Sequence, residues 1–158
     1  MDSPNCKHLS LYPTRHRLRT CPFARVGELQ ADTIVRRYPY MRIASLRLSW
    51  SVPDRSHAED HDANTRKTDL WGYVQQDSAA DAFLLAATDE SSRWSGHEAF
   101  VIAAPDVAAT DDVDILRQTH FPEVPIKESK VISGKIGFFN CEKAERLLGW
   151  VHRDGLQQ

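Results

Sequence analysis

An α/β fold is predicted by three features of the chain. Residues 42–50, RIASLRLSW, alternate with a period of two. Residues 99–105, AFVIAAP, are continuously apolar, as a strand covered on both faces of a parallel sheet requires. Helical patterns lie before, between and after these runs, so strands alternate with helices. The length of 158 residues, with 41% hydrophobic and 27% charged side chains, suits one globular domain. A net charge of -2 gives no general attraction to nucleic acid, and no run approaches the roughly 20 apolar residues of a membrane span.

Residues 1–23 carry Pro4, Pro13 and Pro22 among Arg15, Arg17 and Arg19, without periodicity, and read as an irregular or disordered arm. The arginines would suit a transit peptide, but Asp2 and the prolines oppose an amphipathic helix. Residues 24–37 form a helix with Val26, Leu29, Thr33 and Ile34 on one face, ending before Tyr38 and Pro39. In the strand that follows, Ala44, Leu46, Leu48 and Trp50 point one way and Ile43, Ser45, Arg47 and Ser49 the other, until Pro53 stops it. Residues 54–68 are charged, lack large aliphatic side chains and read as a long loop outside the core.

DLWGYVQQ, at residues 69–76, is a short extended stretch leading to a helix in which Ser78 and Asp81 have capping-box spacing and Ala80, Phe83, Leu84 and Ala87 share a face. Thr110 is placed to cap a further helix with Val113 and Leu116 inward, and FPEVPIKES returns as a loop. The closing segment GFFNCEKAERLLGW, residues 137–150, is a complete capped helix. Asn140 opens it, Glu142 and Arg146 match its dipole, Ala144, Leu147 and Leu148 form its apolar stripe, and Gly149 provides a left-handed stop. Phe139 is placed to staple onto Ala144. Cys6, Cys21 and Cys141 form no CxxC pair, and no secretory leader is seen, so reduced thiols and a cytoplasmic location are expected.

Taken together, RIASLRLSWSVP, DLWGYVQQDSAADAFLLAA with the apolar strand after it, and GFFNCEKAERLLGW resemble the C-terminal half of the NAD-dependent epimerase/dehydratase family, the extended short-chain dehydrogenases/reductases. The resemblance spans about residues 25–153, and residues 154–158 are a tail. It implies a partial Rossmann-like, NAD(P)-binding fold: the substrate-side part, with the remaining parallel strands and their packing helices. It also implies hydride transfer on a sugar, sugar acid or sugar-nucleotide in the intact family, with NAD or NADP as cofactor.

The family holds its dinucleotide at a Gly-rich turn between its first strand and helix. Here the only close glycine pair is Gly134 and Gly137, and Ile132 stands where the first glycine of GxGxxG would fall. The family's catalytic Tyr precedes a Lys by four positions, and the Lys lowers the Tyr pKa for proton transfer. Aligning the Gly27–Glu28 step of ARVGELQADTIVRR on that pattern puts Thr20 and Ala24 at those two positions. Tyr12, Tyr38, Tyr40 and Tyr73 are followed four residues later by His16, Arg42, Ala44 and Asp77, so no YxxxK is present. The chain is therefore read as a truncated relative with no catalytic residues of its own and no cofactor bound alone.

Ser49, Trp50 and Ser51 lie at a strand end, where open α/β sheets bind ligands, and are the residual cofactor-side candidates. Arg66 and Trp71 are the substrate candidates, Arg66 with a charge suited to a carboxylate or phosphate. Arg47 reads as a structural hydrogen-bonding residue. His57 and His61 sit among acids, but no capped helix is evident to put both imidazoles on one face, and no metal is expected. Capping accounts for Asp77, Ser78 and Asp81, and Cys141 reads as a small buried filler despite its place in a first helical turn. The alternatives to a truncated enzyme are a non-catalytic ligand-binding pseudoenzyme, or an interaction module that completes its sheet with a second copy or another chain, because AFVIAA and ASLRLSW leave strand edges and apolar faces to cover.

Overall fold

The computed structural model describes residues 22–126 and 133–153. The arm at residues 1–21, the tail, Cys6, Cys21, Thr20 and Ile132 lie outside them. In chain order the elements are α1 (Pro22–Arg37), β1 (Ile43–Leu48), β2 (Ser51–Val52), α2 (Arg55–Glu59), α3 (Ala63–Arg66), a 3₁₀ turn (Lys67–Asp69), β3 (Val74–Gln75), α4 (Gln76–Thr88), β4 (His97–Ile102), α5 (Val113–His120) and α6 (Glu142–Leu148). The fold is α/β with small parallel sheets. Strands β1 and β4 pair in parallel from Ile43↔His97 to Leu48↔Ile102, and β2 and β3 pair in parallel beyond them. No helix among the described residues is long and apolar enough to cross a membrane.

The period of two in β1 sorts its side chains as expected as far as Leu46. Ala44 and Leu46 pack on a core with Phe100 and Ile102 of β4, Ala79 and Ala82 of α4, and Ala144, Leu147, Leu148 and Trp150 of the closing segment. Ser45 and Arg47 face the other way, toward α1. There Arg47 forks onto Glu28, with both N···O distances 2.6 Å, and Ser45 reaches His97, which reaches Asp32. Helices therefore lie on both faces of the strand pair. The strand ends earlier than expected, at Leu48, which is 39% exposed.

The closing helix keeps its expected apolar stripe, with Ala144, Leu147 and Leu148 buried, but not its expected N-cap. Cys141 takes the N-cap position, while Asn140 still serves the helix by accepting the Glu142 amide at 2.8 Å. Gly149 has φ 73°, and the amides of Gly149 and Trp150 close onto the Glu145 and Ala144 carbonyls at 2.9 and 3.2 Å. Phe139 lies against Gly72, where a Cβ would come within 2.4 Å of its ring.

Several expectations are corrected. Helix α1 starts at Pro22, inside the expected arm, which suits proline at a first helical position. Its apolar face points outward: Val26 and Leu29 are 51% and 60% exposed, and Ala31 is its buried residue. The same holds for α4, where Phe83 and Leu84 are 55% and 62% exposed while Ala79 and Ala82 meet the sheet. The small Ala31, Ala79 and Ala82 are the buried contacts of these helices, with the half-buried Val35 and Leu85 beside them. Ser78 is not the cap of α4, since Gln75 holds that position; the buried Ser78 instead accepts the Trp150 indole N–H on its carbonyl at 2.7 Å and the Arg153 amide on its hydroxyl at 3.1 Å. Asp81 pairs with Arg153. Helix α5 is capped by Asp112 and not Thr110, with Val113 and Leu116 buried as expected.

The expected loop at residues 54–68 is largely helical. Asp54 accepts the His57 amide at 2.8 Å to open α2, and Asp62 accepts the Thr65 amide at 3.3 Å to open α3. It also contributes to the interior, through Ala58 and Arg66. In DLWGYVQQ only Val74 and Gln75 form a strand, because Leu70 and Trp71 turn the chain with φ 56° and 54°.

Candidate functional site

Parallel strands bring the C-terminal ends of β1 and β4 to one side, where open α/β sheets bind ligands. Past those ends the two strands are bridged by the segment 71–75. The Val74 amide donates to Trp50 at 2.9 Å, the Ala104 amide to Tyr73 at 2.7 Å and the Ala108 amide to Trp71 at 3.0 Å. The crevice between the strand ends is thus filled by the chain itself.

The five candidate residues fall around this plug in different environments. The Ser49 hydroxyl is buried without a hydrogen-bond partner among the described residues, and a Cβ on Gly72 would stand 2.9 Å from it. Trp50 is half-buried, with the Arg66 guanidinium 4.6 Å from its ring centre and the His61 ring at 4.7 Å. Ser51 is exposed in β2. Arg66 is not a ligand-facing cation: it is buried and donates to the carbonyls of Ala58 at 2.9 Å, Ala108 at 3.3 Å and Gly72 at 2.5 Å. Burial lowers its pKa, opposed by Asp69. Arg66 thereby ties α2, the strand-end plug and the segment after β4 together.

Trp71, expected at the substrate, is likewise core. It is fully buried among Val107, Val113 and Leu116, and its indole N–H donates to Ala63 at 2.7 Å. The structure therefore brings Trp50 and Arg66 into contact, and leaves Ser51 and one edge of Trp50 as the solvent-facing part of the expected site.

A cluster missed from the sequence lies beside it. Arg55 donates to the Tyr73 hydroxyl at 3.2 Å, pairs with Asp106 and holds Glu59 at 2.7 Å, and Tyr73 also donates to Asp106 at 3.1 Å. Burial works against the Arg55 charge, but the Glu59 and Asp106 carboxylates outweigh it and raise its pKa above the ordinary guanidinium value. Arg55 and Asp106 remain partly open to solvent, at 34% and 24% side-chain exposure, so the cluster offers both donors and acceptors at the surface. Asp106 follows AFVIAAP directly, and an acid just past a buried parallel strand is the signal that marks it in the sequence. His57 lies in the capped helix α2 and His61 just past it, both rings meeting Trp50 edge-on or tilted, but no three His, Cys, Asp or Glu side chains among the described residues are grouped to hold a metal ion.

Gly137 is pressed against the Pro105 carbonyl, where a Cβ would come within 3.1 Å, so its lack of a side chain serves packing there. The thiol of Cys141 donates to Ala103 at 3.4 Å, and burial raises its pKa. No family model matches the chain, and neither a curated protein nor a solved structure does.

Proposed function

We propose that this chain is the substrate-side part of an NAD-dependent epimerase/dehydratase-like protein, a partial Rossmann-like unit that neither binds NAD or NADP nor catalyses hydride transfer by itself. The observation that carries the reading is the parallel β1–β4 pair with α1 on one face and α4 and α6 on the other, presenting Arg55 and Asp106, both held by the buried Tyr73 hydroxyl, beside its strand ends. The ligand class is a sugar, sugar acid or sugar-nucleotide, whose hydroxyls match that mixture of donors and acceptors. Isothermal titration of the chain with NAD and NADP is expected to give no binding; micromolar affinity for either overturns the reading. A thermal-shift series with sugar acids is expected to stabilise the chain and to lose that effect in Arg55→Leu.

A second reading, as an interaction module, is favoured by the outward apolar faces of α1 and α4 and by the outer edge of β1, which pairs with no other strand among the described residues. Sedimentation velocity separates the two, since a monomer at all concentrations removes self-association through these faces.

A further inference from the structure

A second constellation stands on the sheet face turned toward α1, away from the strand ends. Ser45 of β1, His97 of β4 and Asp32 of α1 converge on one imidazole. Ser45 Oγ lies 2.8 Å from His97 Nε2, and His97 Nδ1 lies 2.8 Å from Asp32 Oδ1. An ionised carboxylate only accepts, so Nδ1 carries the hydrogen and Nε2 keeps a lone pair for the serine hydroxyl. That is the tautomer in which a histidine takes a proton from a serine nucleophile. The His97 side chain is only 6% exposed, so packing and its two hydrogen bonds hold the ring in place. After taking the proton, Nε2 still points at Ser45 and Nδ1 still faces a carboxylate, so neither protonation state leaves a ring nitrogen without a partner.

The edge of β1 supplies a candidate donor for a developing oxyanion. The Ile43 and Ser49 amides point to β4 and its flanks, donating to Gly96 and Ile102 at 2.9 and 3.0 Å. Strand alternation therefore turns the Leu46 amide to the opposite edge, where no strand pairs among the described residues. Leu46 directly follows Ser45, the position from which acyl-transfer enzymes draw one oxyanion-hole amide.

We propose that Ser45 is a nucleophile activated by His97, with Asp32 as the positioning residue, and that it accepts the acyl group of a small activated ester at the open edge of β1. The Ser45 Oγ–carbon bond forms at the ester carbonyl as the hydroxyl proton passes to His97 Nε2. The bond from that carbon to the leaving alcohol oxygen then breaks, and His97 returns the proton to the alcohol. A water molecule, deprotonated by the same nitrogen, attacks the acyl-serine, releases the acid and restores the hydroxyl. Asp32 is 44% exposed, so water weakens its support of the imidazolium, and the chemistry is restricted to esters with good leaving groups such as aryl esters. This inference uses neither a nucleotide nor the strand-end cluster, so it stands or falls apart from the proposed function.

The test is reaction of the full chain with a fluorophosphonate probe and with p-nitrophenyl acetate, read by intact mass and peptide mapping, with circular dichroism confirming the fold of each variant. The expected result is one adduct on Ser45, absent in Ser45→Ala and slowed about 10²-fold in His97→Gln. Asp32→Asn, at a half-exposed position, is expected to slow labelling about tenfold, with Asp32→Glu restoring most of the rate. A folded wild-type chain unlabelled at Ser45, or labelling equally fast in Asp32→Asn and His97→Gln, overturns the proposal and leaves a structural clamp between α1 and the sheet. If His97→Gln does not fold, the wild-type adduct and the Asp32 pair decide.

Discussion

Helices α4 and α6 cover the same core, yet they do so with opposite choices of side chain. Helix α6 sends Leu147 and Leu148 inward with Trp150 beside them, whereas α4 meets the sheet through Ala79 and Ala82 and leaves Phe83 and Leu84 outside. An apolar stripe marks a helix as two-faced without saying which neighbour the stripe meets. In α4 the buried packing falls to Ala79 and Ala82, with the half-buried Leu85 beside them, while Phe83 and Leu84 stay outward.

The sharpest way to break this comparison is truncation just after α6 and on the outer face of α4. Trp150→Ala removes a buried ring and its hydrogen bond to Ser78, and is expected to lower stability by about 3–5 kcal/mol in urea unfolding. Phe83→Ala on the outer face of α4 is expected to stay within about 0.5 kcal/mol. Equal losses would mean that the outer face of α4 is covered.

A contrast between two arginines comes next in size. Arg66→Leu leaves the carbonyls of Ala58, Gly72 and Ala108 without their donor and is expected to cost on the order of 2 kcal/mol. Arg55→Leu, at a partly exposed ion pair, is expected to cost less than about 1 kcal/mol while removing ligand stabilisation. A larger loss at Arg55 than at Arg66 would reverse their assigned roles.

The smallest effect concerns the other face of the sheet. The hydrogen bond from Arg47 holds the Glu28 carboxyl below its ordinary value of 4.5. A carboxylate with a lowered folded pKa stabilises fully above its unfolded value, and that contribution fades as pH falls through the folded one. The loss should therefore begin near pH 4.5 and continue below it, amounting to no more than about 1 kcal/mol because the pair is partly exposed. Glu28→Gln is expected to flatten the urea-unfolding stability curve across that range.

What was legible in the sequence was local. The stripe and the glycine stop specify α6 within a few residues, and the apolar run 99–105 marks a parallel strand, which runs from His97 to Ile102 with Phe100 and Ile102 buried and the rest half-buried. The period of two in β1 separates core-facing Ala44 and Leu46 from Ser45 and Arg47. What depended on distant partners was not. Arg66 is charged and sits among charged neighbours, and only the carbonyls of three separate segments make it interior. The strand-end cluster joins Arg55, Tyr73 and Asp106 from separate segments, and no spacing rule links them. Strands β2 and β3 have two residues each, too short for any periodicity to register.

The left-handed pair Leu70 and Trp71 carries a consequence for how its corner of the molecule is held. Neither residue has glycine's freedom, and each such conformation costs roughly 1–2 kcal/mol. That corner is a bent spring held shut by the seating of the Trp71 indole against Ala63 and by the Arg66 bond to Gly72. Once the indole lifts, the backbone gains by straightening, so the strain at Leu70 and Trp71 works against the seated corner and is outweighed by the burial of that ring.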